Sequence, residues 1–100
     1  MENMTDDNIV RVFNFLETMF FQEKRRIRLN KKRNRTDKPN KFNAIYPIMN
    51  YQEDFMNWDE KVTENKEQNF QVKKDFVLKV LSEINYTPEI RDGNFVEPPQ

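Results

Sequence analysis

Residues 6–27 read DDNIVRVFNFLETMFFQEKRRI, and the placement of this stretch decides the fold. Ile9, Val12, Phe13, Leu16, Phe20 and Ile27 fall in a stripe roughly 100° wide at 3.6 residues per turn, so the segment reads as a strong amphipathic helix. Thr5, Asp6 and Asp7 stand where they can cap its start and complement the helix dipole. Phe15 and Met19 widen the stripe on one flank, Val10 and Phe21 on the other, until roughly two-thirds of the circumference is apolar. A small monomer does not easily cover so wide a face. Either this helix is the central one, or it meets a partner chain.

Downstream, Tyr51, Phe55, Trp58 and Val62 recur at spacings of 4, 3 and 4, which predicts a second helix over 50–63. TENKEQN (63–69) is wholly polar. A third helix is expected over 68–85, with Phe70, Val77, Val80, Leu81 and Ile84 on one face and Val72 and Phe76 beside it. The Tyr51 and Val77 stripes differ in phase by roughly 80°, so a break near 63–69, with Asn65 or Asn69 as the new cap, is preferred to one long helix. Asn85 and Thr87-Pro88 end the third helix. Asp92-Gly93 is the strongest short hairpin signal, with Ile90-Arg91 and Phe95-Val96 as its arms. The alternative is an extended arm whose Ile90, Phe95 and Val96 dock on the core or on a partner. Pro98-Pro99 favours an extended end.

The expected architecture is mainly α: a small three-helix domain spanning 1–100, with a long basic loop after helix 1 and an extended C-terminal arm or short hairpin. The loop and an apolar connector, FNAIYPIM (42–49), occupy the region 28–47, and the arm covers 87–100.

Composition narrows the chemistry. The 100 residues contain no Cys, no His, one Gly and one Ser, Ser82. Disulfide scaffolds, zinc fingers, thiol enzymes and His-dependent acid–base catalysis are excluded, as is a glycine-rich phosphate cradle. Ser82 has Lys79 three residues before it, a spacing that charged helices produce by geometry alone. Asp54 with Glu64-Asn65-Lys66 echoes the acid and Glu-x-Lys arrangement of some metal-dependent nucleases, but those sites sit on strands and these residues read as a solvated helix face. The expectation is no enzyme, no cofactor, no metal and no small-molecule substrate. No stretch is apolar enough to span a membrane, and no basic leader is visible, so the expected setting is intracellular, in the cytoplasm. The excess of Phe, Asn, Lys and Ile over Ala and Gly suggests an AT-rich coding sequence, such as that of a phage or an AT-rich microbe.

The formal charge of zero conceals a sharp sorting. Residues 1–22 carry −3, residues 23–41 carry +8 and residues 42–100 carry −5. Ten cations, Lys24, Arg25, Arg26, Arg28, Lys31, Lys32, Arg33, Arg35, Lys38 and Lys41, share the stretch 24–41 with one acid, Asp37. Between Asn30 and Asn40 there is no apolar residue, so a loop is expected. Such a run contacts a phosphate backbone, docks on an acidic protein surface, or is merely solvated. Phe42, Tyr46 and Tyr51 follow closely and suit either base stacking or core packing. The first functional expectation is a non-catalytic protein contacting nucleic acid or a nucleoprotein machine through these cations, in transcription, replication or ribonucleoprotein assembly. The alternative is a protein–protein adaptor, inhibitor or accessory subunit, in some cases phage-encoded. It binds a protein partner or a second copy through Phe15, Met19 and Phe21 of helix 1 and Ile90, Phe95 and Val96 of the arm.

Overall fold

The computed structural model describes residues 4–33 and 48–98. It is mostly helical, with three α-helices and a C-terminal hairpin. The order is α1 (Asp6–Arg33), a 3₁₀ turn (Ile48–Tyr51), α2 (Gln52–Met56), a second 3₁₀ turn (Trp58–Lys61), α3 (Lys66–Glu83), β1 (Glu89–Arg91) and β2 (Asn94–Val96). The expected apolar connector and the loop from residue 34 lie outside the described residues up to Pro47.

Helix α1 is the spine. Its 28 residues span about 42 Å at 1.5 Å per residue, close to the 45 Å longest dimension of the molecule. Thr5 caps it, accepting a hydrogen bond at its hydroxyl from the Asn8 amide at 3.3 Å. The helix runs past the expected end at Ile27 to Arg33. Arg, Lys and Leu are good helix formers, nothing between 27 and 33 breaks the pattern, and cations suit the negative end of the helix dipole. Residues 28–33 are therefore helix and not the start of a loop.

The wide apolar face of α1 is covered from two sides. On one flank, Phe13 packs on Trp58 (ring centroids 4.7 Å apart), and Phe20 stacks on Phe55 (5.1 Å). Phe76 of α3 closes the cluster, 5.3 Å from Phe55 and 5.0 Å from Trp58. On the other flank lies the hairpin, with Phe95 edge-on to Phe15 at 5.6 Å. Phe15 and Met19 are consequently buried in the chain's own core, which removes them as partner-binding residues. Phe95 is buried as well.

The expected second helix is broken in the middle. A 3₁₀ turn, one short α-helix and another 3₁₀ turn replace it, with Asn57 at the junction. Tyr51 and Phe55 are four residues apart, and Trp58 follows Phe55 by three residues across the Asn57 junction. All three aromatics thus reach one cluster without a continuous helix. Val62, the fourth residue of the stripe, lies in extended backbone and is 53% exposed.

Asn65 caps α3, its side chain accepting from the Gln68 amide at 3.0 Å, so the helix starts two residues before the expected position. Asn69 instead ties back to Thr63, accepting from its amide (2.7 Å) and hydroxyl (3.0 Å) and donating to its carbonyl (2.7 Å). At the other end Asn85 adopts a φ of 55°, and the Tyr86 amide donates to the Leu81 carbonyl at 3.1 Å while the Asn85 amide donates to Ser82 at 3.3 Å. This is a Schellman stop with Asn in the left-handed position, placing the end of α3 at Glu83.

Asp92 (φ 54°) and Gly93 (φ 80°) form the two-residue turn of the hairpin, in which Ile90 faces Phe95. Two three-residue strands are too short to stand alone. The buried Asn8 of α1 secures them: its amide donates to the Gly93 carbonyl at 3.1 Å, and its oxygen accepts from the Phe95 amide at 3.0 Å. Tyr51 supplies a second polar tie, its hydroxyl donating to the Glu83 carboxylate on α3. Truncating Asn8→Ala leaves two backbone groups of the hairpin unpaired, and a loss of about 2–3 kcal/mol in urea unfolding is expected. Tyr51→Phe is expected to cost about 1.5 kcal/mol, a hydrogen bond to a charged acceptor.

Candidate functional site

The last ten residues of α1 differ in character from the first eighteen. Up to Glu23 the helix contributes side chains to the core, but from Lys24 onward no described side chain is buried. Helix α1 is thus a packed rod that ends in a cationic tip.

Within that tip the cations are not equivalent. The Arg26 guanidinium donates to the Glu23 carboxylate, which is itself buried, so Arg26 is held against the helix. The Lys24 ammonium lies 2.9 Å from the Met56 sulfur of α2. Arg25, Arg28 and Lys31 are exposed and have no ion pair among the described residues. Lys32 and Arg33 belong to the backbone of α1, while Arg35, Lys38 and Lys41 lie outside the described residues, as do Phe42 and Tyr46. Tyr51 is buried in the core.

Because α1 is continuous, its outer face can be followed by register. At 100° per residue, Phe21, Arg25 and Arg28 fall within about 60° of one another and span about 10 Å of axis. Phe21 is 43% exposed. Its ring is held edge-on to Phe20 at 4.9 Å, and Phe20 is fully buried. The outer ring therefore rests on the core. Around it Glu17, Thr18, Gln22 and Arg25 line a shallow depression of about 320 Å³. An exposed ring thus stands on one face with two arginines beyond it and with Glu17 on its near side.

The other expected apolar contacts divide differently. Ile90 and Val96 are half-buried on the hairpin, with Ile90 packed against the core edge. The acids that suggested metal binding are dispersed. Asp54 accepts from Lys61 at 2.7 Å, and among the described residues no group of three acids converges on one point. Among the described residues no helix is long and apolar enough to cross a membrane.

Two residues that matter here were invisible to periodicity. Glu23 reads as one more charge at the start of a basic run, and Asn8 as one of 13 asparagines. Each becomes significant only when the fold buries it. Comparison of the chain with protein-family models, with curated proteins and with solved structures finds no match.

The helical reading of residues 28–33 makes a direct prediction. Leu29→Pro removes a helical hydrogen bond beyond the last buried residue, so circular dichroism should lose about one to two turns of helix while the melting of the core is unchanged.

Proposed function

We propose that this chain is a non-catalytic binding protein that contacts single-stranded nucleic acid with the cationic end of α1. The observation that carries the reading is the alignment of exposed Phe21 with Arg25 and Arg28 on one face of a continuous helix. Neither arginine has an acidic partner among the described residues. Arginine forks suit phosphate oxygens, and an exposed ring suits an unpaired base, which duplex DNA does not offer. The chain's positive charge is concentrated in the same stretch: residues 23–41 carry +8, against −3 for residues 1–22 and −5 for residues 42–100.

The protein–protein alternative is weaker in the form first expected. Phe15, Met19 and Phe95 are committed to the core, leaving Phe21 and the half-buried Ile90 and Val96.

Fluorescence anisotropy with labelled oligo(dT) and oligo(U) tests the proposal. Each neutralised phosphate on a single strand weakens binding about 2.6-fold between 50 and 200 mM salt, so five contacts give a loss of about 10²-fold. Arg25→Glu with Arg28→Glu should abolish binding without lowering the melting temperature, because exposed side chains contribute little to stability. Phe21→Ala should cost about 1–3 kcal/mol on a single strand and leave any weak duplex binding unchanged. Absence of binding at 50 mM salt, or an unaltered affinity in the double arginine variant, refutes the reading.

A further inference from the structure

A second concave surface lies away from the cationic tip and owes nothing to it. A groove of about 330 Å³ opens between the start of α1, the 58–62 turn and the first two turns of α3. Its apolar lining is Val10, Trp58, Val62, Phe70 and Val72. Val10 and Val62 are exposed large hydrophobics, 38% and 53% accessible, so the apolar surface is offered to solvent. Lys61, Lys66 and Lys73 are the charged residues of the lining, and no acid joins them.

The helical spacing explains why these groups meet. Lys66, Asn69, Phe70 and Lys73 stand at i, i+3, i+4 and i+7 of α3 and share one face. Lys73 holds its ammonium 4.6 Å from the Phe13 ring centroid, and Lys61 places its own 5.4 Å from that of Trp58. Lys61 is also paired with Asp54, but both side chains are well exposed, and such a pair exchanges readily for another carboxylate. Lys66 is exposed and has no ion pair among the described residues.

We propose that this groove docks an acidic peptide segment of a protein partner, one bulky apolar side chain entering between Trp58, Val62 and Phe70 and flanking carboxylates meeting Lys61, Lys66 and Lys73. Charge complementarity selects the occupant: an apolar floor bordered by three lysines, one of them in an exposed pair with Asp54, fits an apolar anchor with acids on either side. A nucleic acid fits this floor less well. Three of the five apolar residues are valines with no π-face, and the one amide in the lining, Asn69, is already bonded to Thr63. The rim carries lysines alone, compact point charges suited to single carboxylates, and no arginine fork.

Trp58 is the only tryptophan of the chain, so its emission reports on the groove directly. The probe is an acetylated peptide of Asp, Glu, Phe and Leu, with Phe and Leu three or four residues apart. It is compared with the same peptide bearing Lys for every acid, and with oligo(dT). The expected result is a saturable blue shift of Trp58 below about 1 mM acidic peptide, and none with the basic one. Lys66→Glu with Lys73→Glu should weaken it by about tenfold or more. Lys66→Glu alone guards against a folding defect, because an acid in the first turn of α3 suits the helix dipole. It should still weaken binding by a few-fold with the circular dichroism spectrum intact. The proposal is overturned if Trp58 does not respond up to about 1 mM, if the basic peptide acts equally, if charge reversal changes nothing, or if oligo(dT) alone moves the emission.

Discussion

A helix whose apolar surface wraps most of its circumference cannot be satisfied by packing on one side. That constraint governs the rest of this molecule. Each large side chain left in water forfeits about 1.5–3 kcal/mol, and α1 buries Ile9, Val12, Phe13, Phe15, Leu16, Met19 and Phe20. Helix α3 and the aromatic turn at 48–61 cover one flank, and the hairpin covers the other. The broken middle segment and the short C-terminal strands make sense as covers for this helix. Neither has a core of its own, and each is fixed by the residues of α1 that it hides.

Much of this was legible in the residues. The period of α1, the polar break before α3, the Asn signals at both ends of α3 and the Asp-Gly turn are local, and each states its geometry through side-chain spacing or backbone preference. The failures were of a different kind. The pattern Tyr51, Phe55, Trp58 keeps its helical spacing across the junction at Asn57, so periodicity does not reveal the break there. Phe15 can be read as partner-facing from the sequence because Phe95, the hairpin residue that packs on it, lies 80 positions away. Residues 28–33 fall in the expected loop because no apolar residue stands between Asn30 and Asn40, although Arg, Lys and Leu continue a helix well once it has been nucleated. As helix, they bring Arg28 into register with Phe21 and Arg25.

The charges that cancel in the total are unevenly placed. Two exposed arginines at the end of α1 stand near an exposed ring, and the lysines on α3 border an apolar groove. Both settings place cations next to hydrophobic surface, yet one is a convex helix face and the other a concave groove. In a chain without His, Cys or a glycine-rich loop, such differences are the principal means by which one surface distinguishes its ligand from that of another.

The Asn8 clamp has a consequence for how the chain comes into being. Its partners, Gly93 and Phe95, are among the last described residues to be synthesised, 85 and 87 positions after Asn8 itself. At roughly 5–20 residues per second, the whole of α1 is synthesised about 3–11 s before the hairpin begins. During that interval its greasy flank is open, and the molecule is at its most vulnerable to aggregation.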